Sequence, residues 1–501
     1  MTTSPKAGLA RNTISRIGFA LIFGSLTSAV FLLMMDLSGA ERRPYLGIFY
    51  MIVPAVLVPG LILVPIGMTL ERRRRRKDPG AGLKPYPTLD LNIARQRRSA
   101  ALFVSITIIL VFGSAVGSYR AYETTDSVVF CGQLCHTPMH PEFTAHEVSP
   151  HARVRCSDCH VGPTPAGYVA AKYAGIRRTW AELRGTYNRP IALPGRNLEP
   201  ASETCEQCHW PQQGFGNQLR YFDHFSYDEQ NTPRQISMLM ATGGGRLRSG
   251  QTVGIHWHAD PANQITYVAT DATRQTIPWV RLRDAQGKVV EYWAKDTSMP
   301  REEVQHSEKH QIGDCIDCHN RAGHLFLTPD RAVDDALVTG RLDPSLPFVK
   351  QQAVIVLSES YTTTEEAVAK IAAELDSYYH TNYADLYSNK RDLVTGAIAE
   401  IQSIYKANYF PEMKADWQAY PSNIGHFTSA GCFRCHDDQH VSSDGKVISK
   451  DCNLCHTVNA QQEAGALLAS SPTKSFQHPV DIGDLRQVNC TDCHTGKGMA
   501  Q

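Results

Sequence analysis

Three apolar runs in the first 120 residues, a basic cluster between the second and third, and one Cys-x-x-Cys-His element repeated along the rest of the chain predict the fold class. The chain reads as a membrane-anchored multihaem cytochrome c: three N-terminal transmembrane helices, then a mostly α-helical and irregular, haem-packed region with a small β insertion.

The apolar runs are Gly18 to Leu37, Leu46 to Leu70 and Ala100 to Ser118. Each is long enough to cross a bilayer as a helix, which takes roughly 20 apolar residues. Arg72 to Lys77 follow the second run directly, Arg95, Arg97 and Arg98 precede the third, and Lys6, Arg11 and Arg16 precede the first. Basic residues stay on the cytoplasmic side, so the N-terminus and the 78–94 loop are expected in the cytoplasm and everything after about residue 120 outside it. The formal charge of +1 hides this asymmetry: residues 1–98 carry 15 Lys and Arg against 5 Asp and Glu, and the remainder 35 against 44. A basic run placed directly after a span reads as a topology signal and not as a nucleic-acid patch. A cleaved signal peptide is the rival reading of the first run, but no small-residue cleavage site precedes Glu41-Arg42-Arg43 and two more runs follow.

All 14 cysteines fall into seven pairs, each followed by histidine. Six pairs have the haem-attachment spacing: Cys156/Cys159/His160, Cys205/Cys208/His209, Cys315/Cys318/His319, Cys432/Cys435/His436, Cys452/Cys455/His456 and Cys490/Cys493/His494. The pair nearest the membrane, Cys131/Cys135/His136, has one extra residue in its loop. Two thiols must reach the two vinyl groups on one porphyrin edge, and the next histidine must swing beneath the iron. Zinc ribbons and disulfides also use paired cysteines, but neither asks for a histidine at the next position each time. The expectation is seven covalent haems c.

Six-coordinate electron-transfer haems need a second axial ligand, usually His or Met. Thirteen histidines lie outside the motifs. Those close to a motif in a loop are the stronger candidates: His151, His310, His324, His426 and His440, then His478, with Met139 for the first iron. His256-Trp257-His258 would put two imidazoles on one face of a strand, and either ligation or packing accounts for them.

Four segments follow. Residues 1–120 form the anchor, 121–330 a four-haem domain with a β insertion at 215–300, 331–425 a helical connector, and 426–501 a three-haem module. Alternation in Gln264 to Val268 and Trp279 to Leu282, with Asp284 to Gly287 as a turn before Lys288 to Tyr292, marks the strands. Thr363 and Glu366 form a capping box before a helix over Ala367 to Tyr378, and Leu393 to Tyr405 continues the helical period.

Ser149-Pro150-His151, Cys156 to Val161, the run Lys172 to Trp180, Glu203 to His209 and Cys315 to His324 together resemble the NapC/NirT family of membrane-anchored multihaem quinol dehydrogenases. Tyr420 to His426, Cys432 to His440 and Asp451 to His456 are similar to seven-haem members of metal-respiring bacteria. The resemblance implies quinol oxidation at the outer surface of a bacterial inner membrane, beside the first haem, with Lys172 lining the quinol pocket. It implies the membrane quinol pool as donor and a periplasmic cytochrome or reductase as acceptor, with no nucleic acid. This chain departs from the family pattern in having three apolar runs where one is typical, a longer first loop with Met139 shifted by one, and Arg177-Arg178-Thr179 where some members carry an acid. Two other functions stand beside quinol dehydrogenase. One is an electron-wiring subunit in a larger membrane complex. The other is a terminal reductase, which needs an iron with an open position, and every motif here keeps its histidine. Chain order puts the exit at the C-terminal module, where the acidic half could steer a basic carrier. Pyridine haemochrome and intact mass should both return seven haems per chain, and a count of six would leave the first motif empty.

Overall fold

The computed structural model describes residues 9–10, 12–37, 46–77, 90–133, 136–192, 198–209, 216–243, 254–312, 315–470, 476, 478, 483–484 and 488–496. In chain order the helices are α1 (Thr13–Leu37), α2 (Leu46–Lys77), α3 (Ala94–Thr125), α4 (Val128–Gln133), α5 (His136–Glu147), α6 (Cys156–His160) and α7 (Pro165–Leu183). They continue as α8 (Arg301–His306), α9 (Pro329–Val338), α10 (Val349–Ser358), α11 (Thr364–Asn382), α12 (Ala384–Asn389), α13 (Arg391–Asn408) and α14 (Cys490–Cys493). The chain divides into two units: residues 1–134, 155–186 and 197–199 form one, and residues 135–154, 187–196 and 200–501 form the other.

In the first unit, Thr13–Val30 of α1 and Val53–Lys77 of α2 are long and apolar enough to cross a membrane, and among the described residues these two segments alone meet that test. α3 covers the third apolar run, but most side chains in its middle lie outside the described residues. α1 and α2 pack against each other through small residues. A Cβ added at Gly18 would lie 2.9 Å from the Gly60 carbonyl, and one at Gly60 would lie 3.0 Å from the Gly18 carbonyl. Backbones approach this closely where lipid gives helices no hydrophobic reason to associate and packing has to supply it. Pro54, Pro59 and Pro65 sit inside α2, as membrane helices tolerate.

The second unit holds the largest apolar core, built by α9 to α13 around Val333, Leu342, Val349, Ile371, Leu375 and Ile401, with Phe225 and Tyr227 packed on it. The segment expected as a connector is therefore the best-packed part of the chain. Thr363 caps α11 by accepting from the Glu366 N–H at 3.1 Å, but the Glu366 carboxylate accepts from Thr362 N–H and not from the cap residue itself.

Strands are β1 (Gln218–Phe225), β2 (Pro233–Met240), β3 (Gln264–Val268), β4 (Trp279–Arg283), β5 (Val289–Ala294), β6 (His310–Ile312), β7 (His440–Ser442), β8 (His456–Glu463) and β9 (Ala466–Ser470). They form two antiparallel sheets, ordered β1-β2-β8-β9 and β6-β3-β4-β5-β7. Both sheets draw strands from beyond residue 426, so the β structure is not an insertion confined to 215–300. β3 does not alternate in burial: Ile265 and Tyr267 join one apolar cluster and Val268 another, with both faces covered. Residues Ile255–Ala259 form a 3-10 turn, not the strand expected there.

Asp334, Lys350 and Asp330 lie in this core. Lys350 Nζ is 2.7 Å from Asp334 and 3.0 Å from Asp330, and Asp334 also holds His224 Nδ1 at 3.1 Å. His224, Asp330 and Asp334 are close enough to suggest a cation site, but the Lys350 ammonium already meets the two carboxylates. Burial opposes ionisation of Asp330, and the charge of Lys350 outweighs it, holding that carboxyl below its ordinary range. A depressed carboxyl pKa adds stability above the unfolded value of about 4 and loses it as pH falls through the folded value. Lys350→Met should cost about 3–5 kcal/mol at neutral pH by stranding two buried carboxylates. It should also reverse the acid limb, so that the variant gains on the native chain as pH falls, measured by denaturant midpoints from circular dichroism between neutral pH and pH of about 4.

Candidate functional site

Each of the six motifs with Cys-x-x-Cys-His spacing closes in one short helical turn. Cys156–His160 is α6, Cys490–Cys493 is α14, and 3-10 turns span Cys205–Gln207, Cys315–Asp317, Gly431–Arg434 and Cys452–Leu454. Residues three apart share one side of such a turn, so both sulfurs face the same way. The histidine N–H then bonds back to the first cysteine carbonyl: His209 to Cys205 at 2.8 Å, His319 to Cys315 at 2.7 Å, His436 to Cys432 at 3.1 Å and His494 to Cys490 at 2.7 Å. None of the described cysteines is in a disulfide.

Cys159 and Cys208 are exposed, and so are His160 and His209 that follow them, while their partners Cys156 and Cys205 are half-buried. Cys452 and Cys493 are exposed as well, beside half-buried Cys455 and Cys490. The motifs at 315 and 432 expose neither cysteine, so exposure of one sulfur is a property of the individual site and not of the turn. A thioether forms at the rim of a porphyrin, and the rim can lie at the surface, so exposure of Cys159 and Cys208 is compatible with attachment. Cys135 and the His136 side chain lie outside the described residues, and Met139 is half-buried on α5. The residues fit haem c in donor type and local geometry.

Two imidazoles bound to one metal at about 2 Å each put their ring centres roughly 6 Å apart. Four motif histidines have a second imidazole at that separation. His151 lies 6.0 Å from His209, His258 5.8 Å from His436, His426 6.1 Å from His456 and His478 6.0 Å from His494. His146 and His324 are also 6.0 Å apart with no motif histidine between them, so the separation by itself marks only neighbouring rings. The second criterion is the other ring nitrogen. His151 Nδ1 donates to the Ala322 carbonyl at 3.1 Å, His258 Nδ1 to Ile255 at 2.8 Å, and His436 Nδ1 to Ser449 at 2.8 Å. A carbonyl can only accept, so Nδ1 carries the proton and Nε2 keeps the lone pair that binds metal. Burial pushes His258, His426, His456 and His494 below the ordinary imidazole range, which keeps them in the neutral, ligating form. His319 is lowered too, by burial first and then by the charges of His256 and His209. His324 falls to about 4 through burial, and its Nδ1 donates to the Glu142 carbonyl at 2.9 Å.

His440 is arranged differently from the expectation. It is buried, with Nδ1 2.9 Å from the Asp437 carboxylate and Nε2 2.8 Å from the Ile277 carbonyl, so both nitrogens act as donors. Burial opposes the charged form, but Asp437 outweighs it and the pKa rises. In this arrangement the ring ties β7 to the Ile277 loop and presents no lone pair, and His258 is the imidazole beside His436. His310 lies in β6 with its ring on Tyr267, 5.2 Å away, and its Nδ1 3.8 Å from Glu308. Sequence leaves both ligation and packing open for His258, and the fold brings it beside His436. It is 178 positions from His436 in the chain, and no local pattern couples them.

A second cluster lies in the first unit around Lys172 on α7. Its Nζ donates to the Thr125 carbonyl at the end of α3 at 3.0 Å and lies 4.0 Å from Asp126 Oδ1. The Tyr168 and Phe130 ring centres are 4.8 and 5.8 Å from it. Arg155 approaches the other Asp126 oxygen at 4.0 Å. The Asp126 side chain is 5% exposed, and its Oδ1 accepts no hydrogen bond among the described residues. Burial lowers the Lys172 pKa against the pull of Asp126. Burial followed by Asp126 pushes the phenol of Tyr122, which lies beyond the third apolar run, up to about 12. Cys131 is drawn down to about 7 by a hydrogen bond from Cys156, so the first two attachment loops meet here. Arg177-Arg178-Thr179 holds no acid, and the carboxylate beside Lys172 is Asp126, just ahead of the first motif.

Comparison with known proteins agrees with this layout. The model of the NapC/NirT cytochrome c family, N-terminal region, matches residues 94–209, and that of cytochrome c3 matches residues 426–501. The cytochrome c-type protein ImcH of Geobacter sulfurreducens is 43% identical over 496 residues, covering 99% of this chain and 97% of its own. The cytochrome c-type protein TorY of Haemophilus influenzae is 29% identical over 156 residues, covering 28% of this chain and 38% of its own. No solved structure matches the chain.

Substituting the two histidines near the fifth motif separates their parts. His258→Ala should convert one ferric site from low-spin to high-spin in electron paramagnetic resonance, whereas His440→Ala should leave the spin-state count unchanged and lower the unfolding midpoint.

Proposed function

Since the chain belongs to the NapC/NirT family of cytochromes c and so works in membrane-associated multihaem electron transfer, we propose that it oxidises quinol at the outer face of a bacterial inner membrane and passes the electrons through seven haems c to a periplasmic acceptor. The Lys172–Asp126 pair beside the first two attachment loops is the observation that carries this reading. α1, α2 and α3 cross the bilayer, with the basic run after α2 on the cytoplasmic side and the motifs outside.

Each haem is held by its cysteine pair and the following histidine. His151 serves the motif at 205, His258 that at 432, His426 that at 452 and His478 that at 490, with Met139 kept for the first iron. Haem c supplies one-electron acceptors, so a quinol gives up two electrons in succession and two protons. Lys172 offers a donor to a quinol hydroxyl oxygen, and its contact with the Thr125 carbonyl fixes where that donor sits. Asp126 has an oxygen with no hydrogen bond among the described residues and is the group placed to take the first proton. Arg155 and Lys172 each lie 4.0 Å from that buried carboxylate, opposite charges beside a group for which an isolated charge would be costly.

The test is quinol-analogue oxidation by the purified full chain in lipid nanodiscs, paired with binding of an unreactive quinol-site inhibitor. Lys172→Met should weaken inhibitor binding and slow haem reduction more than tenfold, and Asp126→Asn should slow reduction similarly while inhibitor binding is kept, as expected when one proton-transfer group worth about 10²–10⁴ is lost. Both variants should retain the native haem count. A native chain that binds no inhibitor and takes no electrons from quinol would make it a wiring subunit whose partner oxidises the quinol.

A further inference from the structure

α7 begins with Thr164 accepting from the Gly167 N–H and Pro165 in its first turn, and ends in a left-handed Gly185 with Thr186 N–H bonded to the Ala181 carbonyl at 2.9 Å. A helix so clearly bounded at both ends would be expected to bury its apolar face. Its inner face does so with Tyr168, but a second apolar stripe points outward. Tyr173, Ile176, Trp180 and Leu183 are 69, 64, 57 and 75% exposed, and their three- and four-residue spacing puts them on one face. Arg177 and Arg184 border that stripe and Arg178 lies farther round, all three exposed, while no Asp or Glu occupies that side. The Arg184 guanidinium lies 4.6 Å from the Trp180 ring centre.

Four large apolar side chains in one outward row are more than scattered surface residues, and they mark an interaction surface. Three observations decide what covers it. α7 packs against α2, one of the two helices apolar enough to span a membrane, so the stripe belongs to a helix that sits beside a candidate span within the same unit. Tyr and Trp are the aromatic residues that settle at headgroup depth. Arginine without acid beside an apolar row complements anionic headgroups. We infer that α7 is an interfacial helix, lying in the outer headgroup layer with Tyr173, Ile176, Trp180 and Leu183 in the acyl boundary and its arginines on lipid phosphates. The inference concerns lipid and stands whether or not Lys172 binds quinol.

The experiment uses the full haem-loaded chain in nanodiscs containing phosphatidylglycerol and a phospholipid with a photoactivatable diazirine in its acyl chain. Mass spectrometry after illumination should find carbene adducts within residues 173–184 as well as in α1 and α2. Hydroxyl-radical oxidation of Trp180 should be several-fold slower in the nanodisc than after delipidation. Arg177→Glu with Arg184→Glu should lower the α7 adduct yield several-fold while adducts in α1 and α2 persist, which keeps the readout independent of folding. Adducts confined to α1 to α3 in the native chain overturn the proposal. So does a Trp180 shielded from both carbene and radical, which would mean that protein or haem covers the stripe.

Discussion

An imidazole binds iron only if it is neutral and correctly turned, and at three of the rings near the motifs one hydrogen bond meets both conditions. A Nδ1–H donated to a backbone carbonyl fixes the tautomer, the ring plane and the atom left for the metal. For His151 that carbonyl is Ala322, for His258 Ile255 and for His436 Ser449. The carbonyls sit in loops and short turns, and the loops are held by strands that start or end at motif residues. β8 begins at His456, whose partner in β2 is Met240, and β7 pairs Ser442 with Tyr292 of β5. The two sheets serve as a frame for imidazole placement more than as a conventional core.

This explains which parts were legible in the sequence. Attachment is local: cysteines at i and i+3 and histidine at i+4 belong to one helical turn, so spacing alone names them. Spacing does not carry exposure, and for that reason the outward position of Cys159 and Cys208 could not be read from it. Helices α11 and α13 and strands β3 to β5 were legible because their periods and turns are short-range signals. Distal ligation is not local. Proximity in sequence favoured His440 over His258, but a loop histidine next to an aspartate is also well placed to be held by it, and Asp437 holds His440. The strands after residue 455 carry the polar pattern Thr457 to Glu463, which reads as strand only once β2 is beside it.

The largest apolar core follows the same logic from the other side. Residues 332–409 contain no motif, so they have no haem to pack around and have to close on their own side chains. They do so with a buried Lys350 between two aspartates, an arrangement that adds little net stability over an apolar substitute but penalises loss of any one member. Such a network specifies one packing of β1 against α9 and α10, because Asp334 also accepts from the Phe225 N–H at 3.0 Å.

The charge sum around Asp126 sharpens the proposed chemistry. Asp126 stands between Lys172 and Arg155, each 4.0 Å away, and Arg155 is also paired with Asp158 at 2.8 Å, so the cluster is neutral overall. A neutral quinol entering it meets a donor at Lys172 and an acceptor at Asp126. In the proposed reaction, moving the proton to the carboxylate would leave the cluster with one net positive charge beside a substrate oxygen that has become negative. Both cations then stabilise that oxygen, and they do so more strongly in a half-buried site than in water. In the proposed reaction the pair would act as an electrostatic unit, Asp126 removing the proton while Lys172 and Arg155 lower the cost of the anion left behind. An acid alone would lack the second part, and a lysine alone would lack the first.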